Sequence, residues 1–185
     1  MSSHTEPLAE LVITPPGVYG PAFAERFLFR MTFGVLIQLV VKAQRHIIVS
    51  APFLQQGYGL SAGSLAEAVQ AALQRGVDVD VMSTGQGLQS INHNWLTHQA
   101  RGTLRLFRPA ANISNKNELG SHAKFCVSDG QSAYIGSANL TDPAMTRHLE
   151  LGLLVNGHIA KQVEEMWRYS LEVGIFIEQY KSSPS

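Results

Sequence analysis

Between residues 46 and 82 the chain alternates strand, helix and strand signals, and few architectures accommodate that order. Residues 46–53, HIIVSAPF, form a continuous apolar run rich in β-branched side chains, the pattern of a strand buried on both faces. Ser64-Leu-Ala-Glu67 has the form of a capping box opening a helix that runs to about Gln74, and Gly76 follows as a stop signal. Residues 77–82, VDVDVM, alternate strictly and predict the next strand. A strand, a helix and a strand in this succession make a parallel pair with a right-handed crossover. The expected fold class is therefore α/β, with a mixed, mostly parallel central sheet flanked by helices.

With 185 residues, 45% hydrophobic and 15% charged, the chain has the size and composition of one ordinary globular domain. We divide it into an N-terminal arm over 1–21, punctuated by Pro15-Pro16-Gly17, a single domain over 22–180 and a flexible polar tail over 181–185. A helix is expected over about 22–45. Its apolar run, 31–41, is too short to cross a bilayer, which takes about 20 residues. The first 20 residues lack the basic and apolar regions of a secretory signal, and no lipidation motif or basic amphipathic helix is visible. No stable membrane association is expected, and a cytoplasmic location is. The formal net charge is zero, so any attraction for a polyanion has to come from a local patch.

Residues 121–150 concentrate the chemistry. Two alternating apolar runs flank Asp129-Gly130, a hairpin-turn dipeptide. His122 and Lys124 project from one face of the first strand, opposite Ala123, Phe125 and Val127, while Ser137 and Asn139 share a face of the second. A two-residue loop makes opposed residue numbers sum to 259 or 261 and gathers all four polar side chains into one patch; a three-residue loop without a bulge scatters them. Gly136 lets a ligand or another backbone approach that patch. Imidazole, ammonium, hydroxyl and amide together suit a phosphoryl group.

His122-Ala-Lys124, four residues, Asp129, six residues and Gly136-Ser137-Ala138-Asn139 resemble the signature of the phospholipase D superfamily. Glu150, eleven residues after Asn139, stands where that family carries a supporting glutamate. The motif occurs once, as in the short members, which resemble Nuc-type bacterial endonucleases and Zucchini-like nucleases. The resemblance implies a homodimer whose two motifs face each other across a two-fold axis. It implies metal-independent hydrolysis with no cofactor, in which one His122 attacks phosphorus to form a phosphohistidine and the other His122 protonates the leaving oxygen. A neutral and a protonated imidazole can coexist because the unperturbed pKa of histidine is near ~6.5. By the same resemblance Lys124 and Asn139 bind the nonbridging oxygens, Ser137 hydrogen-bonds nearby and Glu150 orients the His122 ring. Asp129 belongs to the motif, but its place at the turn suits a structural role. DNA or RNA is the first substrate; the alternatives are a phospholipid, or a catalytically idle nucleic-acid-binding subunit, for example of a bacterial defence system.

Outside the motif, Arg101, Arg105, Arg108 and Lys116 fall in a stretch, 101–117, with no acidic residue. They form either a phosphate-tracking groove or a solvated strand edge and loop. His93 and His98 are five apart with no carboxylate between them, so the helical zinc spacing is absent and no metal site is expected. His148 is either at the rim of the site or a surface residue. Cys126, the single cysteine, is either a reactive thiol on the His122 face or a buried packing residue. Residues 158–171 predict a helix with Val163, Met166 and Trp167 toward the core.

Overall fold

The computed structural model describes residues 9–114 and 118–183. In chain order the elements are β1 (Ala9–Thr14), α1 (Gly20–Arg26), β2 (Arg30–Met31), α2 (Thr32–Lys42), β3 (His46–Ser50), α3 (Ser64–Arg75), β4 (Asp78–Met82), α4 (Gly85–Gln89) and α5 (His93–Leu96). They continue with β5 (Leu104–Pro109), β6 (Phe125–Ser128), β7 (Ser132–Gly136), α6 (Asp142–Thr146), β8 (Glu150–Asn156), α7 (His158–Glu172) and β9 (Phe176–Lys181). The strands make one sheet in the order β2-β1-β8-β7-β6-β3-β4-β5-β9.

The predicted β3-α3-β4 unit is present, its strands parallel from His46↔Asp78 to Ser50↔Met82. Gly76 closes α3 in the left-handed region at φ 96°, where a side chain would be strained. The capping box does not form: Gly63 is the N-cap, and no side chain bonds the first turn.

The sheet is mixed as expected, but its balance corrects the expectation of mostly parallel pairing. Three neighbouring pairs are parallel (β1/β2, β3/β4, β4/β5) and five are antiparallel. Only β6 and β7 are joined by a tight turn, which requires antiparallel pairing; β1, β6 and β9 insert antiparallel beside strands distant in sequence.

Both termini also differ from expectation. Residues 9–14 are a full strand, β1, held against β8 from Ala9↔Val155 to Thr14↔Glu150, so this part of the arm belongs to the sheet. At the other end Ser182 is 6% exposed, and its Oγ accepts from Leu104 N at 2.8 Å. The helix expected over 22–45 is broken at Phe27, whose backbone is extended. Only α2 shows the spacing of a buried face, with Val35, Leu36, Leu39 and Val40 in the core.

The two faces of the sheet carry separate cores. Against one lie α2 and α3, which contribute Leu36, Leu39, Leu65, Val69 and Leu73 to a cluster with Val49, Cys126, Tyr134 and Leu154. On the other face Trp167 of α7 is fully buried, edge-on to Phe107 at 5.2 Å and stacked on Phe176 at 5.3 Å. Truncating such a side chain costs about 3–5 kcal/mol. Met166, predicted to face the core, is 44% exposed. Among the described residues no helix is long and apolar enough to cross a membrane.

Strand polarity fixes where the motif lies. Ser50 at the end of β3 pairs with Phe125 at the start of β6, so residues 122–124 emerge at the carboxyl ends of the parallel strands. Strand β7 ends there and β8 begins there, through Gly136↔Gly152. In open α/β sheets that edge is the usual place for a ligand.

Candidate active site

The hairpin corrects the expected register. Phe125 pairs with Ile135 and Ser128 with Ser132, so opposed numbers sum to 260 and three residues, 129–131, form the loop. Asp129 and Gly130 turn the chain at positive φ, 55° and 67°, and Gln131 N donates to Ser128 O at 2.9 Å. Lys124 therefore lies across from Gly136, whose N–H donates to Lys124 O at 3.1 Å, and not across from Ser137. Lys124 and Ser137 are still linked through Glu150, which bonds Ser137 and whose charge acts on Lys124. Residues 121–124 and 137–139 lie outside the regular strands, where alternation no longer dictates direction, and Glu150 on the third strand bridges them.

Lys124 is the centre of this cluster. It is 6% exposed, and its Nζ lies 3.1 Å from His122 Nδ1 and 3.3 Å from Nε2, with a further hydrogen bond to His122 O at 2.9 Å. Loss of hydration pushes its pKa below the ordinary lysine value, and the negative charge of Glu150 opposes the shift. Glu150 is 9% exposed; its Oε2 accepts a hydrogen bond from Ser137 Oγ, and Oε1 lies 4.0 Å from His148 Nδ1. Ser137 Oγ also accepts from Leu151 N at 3.1 Å, which locks the hydroxyl between β7 and β8. His122 itself is exposed. Among the described residues no hydrogen bond joins Glu150 to His122: the group against the ring is Lys124, and Glu150 bonds Ser137 while its charge acts on Lys124. His148 stands at the rim, beside Glu150.

Asn139 is attached to the same edge from another side. Its Oδ1 accepts from Phe53 N, in the loop after β3, at 3.4 Å, and Leu140 bridges to Leu54. Ser50 Oγ donates to Ala123 O at 2.9 Å, pinning the His122 segment to the end of β3. Gly136 has a different purpose from the one expected: a Cβ there would lie 2.3 Å from Tyr134 Oη, and one at Gly152 would lie 2.5 Å from Tyr134 Cε2. The two glycines make room for the Tyr134 ring, whose hydroxyl burial pushes up to about 12. That ring escaped the sequence reading, although two glycines placed across neighbouring strands are a signal for it.

Asp129 is at the far end of β6. Its carboxylate accepts from the backbone N–H groups of Gln44, Arg45 and His46 at 2.8, 2.8 and 2.9 Å, tying the hairpin to the start of β3. Burial alone would raise its pKa; those three N–H groups and the Arg45 charge outweigh it and bring the carboxyl below its usual range.

The basic residues do not make one stripe. Arg105 grips Asp80, which is fully buried, through Nε at 2.7 Å and Nη2 at 2.8 Å, and Trp167 Nε1 donates to the same carboxylate at 3.0 Å. His46 Nε2 lies 3.2 Å from that carboxylate. Arg105 thus serves the α7 core. Arg108, three residues along β5, is of opposite strand parity and so on the other face; its Nη1 donates to Pro109 O at 3.4 Å. Arg101 is exposed beside the end of α3, where its N–H donates to Leu73 O. Lys116 lies outside the described residues. His93 packs its ring on Tyr180 at 4.5 Å. Cys126 is 1% exposed, and burial pushes its thiol up to about 12, so it is a packing residue.

Comparison with known proteins gives the same picture. Residues 36–171 match the family described as "Cardiolipin synthase, PLD-like domain". Among solved structures the chain is similar to Nuc, a phospholipase D family member from Salmonella typhimurium, with a TM-score of 0.61 and 18% identity, covering 94% of this chain and 98% of that one. It is similar to NucT from Helicobacter pylori, with a TM-score of 0.63 and 15% identity over 91% and 98% of the two chains. It is also similar to the phosphatidylserine synthase of Haemophilus influenzae Rd KW20, with a TM-score of 0.58 and 11% identity, covering 92% of this chain but 39% of that one. At these identities the structures speak for the fold. No curated protein matches the sequence.

Proposed function

Because the chain belongs to the phospholipase D-like family, whose chemistry is that of phosphodiesters, we propose that it is a metal-independent phosphodiesterase acting on nucleic acid at a site completed by a second copy. The observation that carries this reading is the buried ammonium of Lys124 against the His122 ring. An ammonium only donates hydrogen bonds, so a ring nitrogen that accepts one from Lys124 does so through its lone pair, the feature that a nucleophile needs. The anionic oxygens of a phosphodiester are stronger acceptors than imidazole. On binding they take over the Lys124 hydrogen bonds and release the ring nitrogen for attack.

The bond from the His122 nitrogen to phosphorus then forms as the bond from phosphorus to the leaving oxygen breaks. That oxygen takes a proton from His122 of the second copy. The second imidazole, now neutral, removes a proton from water, whose oxygen attacks phosphorus and breaks the phosphorus–nitrogen bond. Lys124 and the Asn139 amide hold the nonbridging oxygens, and Glu150 with Ser137 keeps Lys124 in place.

The need for a second copy is supported by an apolar surface beside Glu150. Leu149, Leu151, Leu153 and Ile135 are 60, 58, 45 and 38% exposed, and the register places Leu151, Leu153 and Ile135 on one face. Nucleic acid is favoured over lipid because the length-matched similar structures are Nuc and NucT, each covered to 98%. One observation favours a phospholipid instead: Leu28 is 98% exposed and, with Phe27 and Met31, rims an apolar crevice of about 630 Å3.

The deciding experiment offers purified protein single- and double-stranded DNA, RNA and phosphatidylcholine vesicles in EDTA, with His122→Ala alongside. We expect nucleic acid to be cleaved, and the variant to lose about a thousandfold or more while staying folded. Full activity in the variant would eliminate His122 as nucleophile. Inhibition by EDTA that added metal reverses would eliminate the metal-free reaction, and turnover of the vesicles alone would move the substrate to lipid.

A further inference from the structure

The loops leaving β3 and β4 and the segment after β5 wall a groove of about 930 Å3, lined by Phe53, Gln56, Gln86, Gln89, Ser90 and Ser114 among others. Two walls are fastened together below it: Ser83 Oγ and Thr84 Oγ1 both donate to Pro52 O, at 3.2 and 3.1 Å, and Ala51 N donates to Met82 O at 3.0 Å. These bonds hold the β3 and β4 loops together. It is joined to the motif through Phe53, whose N–H binds Asn139 Oδ1, and through the Leu54↔Leu140 bridge.

Its described lining is aromatic and amide in character. Among the described residues the lining contains no lysine or arginine, and its one charged member is Glu118. Phe53 leaves a ring face 44% exposed, and Gln86 and Gln89 are exposed on α4. The side-chain amides of Gln56, Gln86 and Gln89 make no hydrogen bond to any described residue, so each keeps a donor and an acceptor for a ligand. An aromatic face beside unspent amides is what an unpaired nucleobase requires, stacking on the ring and hydrogen bonds to its edge.

Resting on the nucleic-acid reading above, we infer that this groove holds a base of single-stranded nucleic acid next to the scissile phosphate, with Phe53 as the stacking platform and Gln86 and Gln89 at the base edge. A base inside a duplex has its faces and pairing edge occupied and cannot enter.

The test is a cycle on the full-length protein. The value of kcat/KM is measured for a single-stranded oligonucleotide and for the same strand with abasic sites flanking the cleaved phosphate, using wild type, Phe53→Ala and Gln86→Ala/Gln89→Ala. We expect wild type to cleave the abasic strand about tenfold more slowly. Phe53→Ala should slow the intact strand by a similar factor and show little further difference between the two strands. The double glutamine variant should lose part of the preference with Phe53 in place. Equal rates of wild type on both strands, or an equal slowing of both by Phe53→Ala, would overturn the base site while leaving the nuclease standing. Failure to cleave any oligonucleotide, with vesicles hydrolysed, would overturn both.

Discussion

Lys124 is 6% exposed; loss of hydration lowers its pKa, and the negative charge of Glu150 opposes the shift. The folded state therefore holds this proton less tightly than the unfolded chain does. Between the lowered folded value and the unfolded value near ~10.4, the unfolded state binds more protons, so stability rises with pH through that window. Activity runs the other way, because a neutral amine cannot hold a phosphate. The alkaline limb of kcat/KM should fall below the ordinary lysine range, and Glu150→Gln, by removing the charge that props the ammonium up, should move that limb to still lower pH. A pH–rate profile of the two proteins checks this, and an unmoved or raised limb in Glu150→Gln would uncouple the pair. Lys124 and its spacing from His122 are visible in the sequence. That Glu150 bonds Ser137 and lets its charge act on Lys124 is visible only once three strands are side by side.

Strand β5 shows how an element can redirect its residues. Its two arginines look like a phosphate-binding run, yet the strand sends them to opposite faces, and Arg105 closes on the buried carboxylate of Asp80 beneath Trp167. Removing the guanidinium takes the main charge partner from the fully buried Asp80 and leaves it only Trp167 Nε1 and the His46 ring. Arg105→Ala should accordingly lower the thermal midpoint markedly. The salt dependence of nucleic-acid binding by the folded fraction should stay as in wild type; a flatter slope would return Arg105 to the substrate. The hairpin of β6 and β7 carries the same lesson. Asp129-Gly130 announces a turn, but the third loop residue, Gln131, shifts the register by one and pairs Lys124 with Gly136.

Among the described residues, helices leave part of one sheet face uncovered. Helix α7 packs on Phe125, Val127, Ala133 and Val155, whereas Met31, Leu151, Leu153 and Ile135 of β2, β8 and β7 remain exposed on that face, next to Ser137 and Glu150. If a second copy covers this face, a charge placed on it separates the copies. Leu151→Lys should convert the assembly to a 20.2 kDa monomer by light scattering and take hydrolysis down with it. An active monomer would show that one chain carries a complete site.

By itself the sequence determined the elements that local chemistry dictates: the β3-α3-β4 unit through its apolar runs and Gly76, the presence of a hairpin at Asp129-Gly130, and the identity and spacing of His122, Lys124, Ser137 and Asn139. Those features depend on neighbours within a few positions, which residue order records directly. Tertiary structure alone decided that β1 joins the sheet, that Tyr134 lies under Gly136 and Gly152, that Arg105 belongs to Asp80, and that Phe53 and Gln86 open a groove beside Asn139. Each of these pairs residues from separate strands or loops. Which partner wins depends on the strand order and register of the folded sheet, where burial, charge compensation and hydrogen bonding are satisfied together.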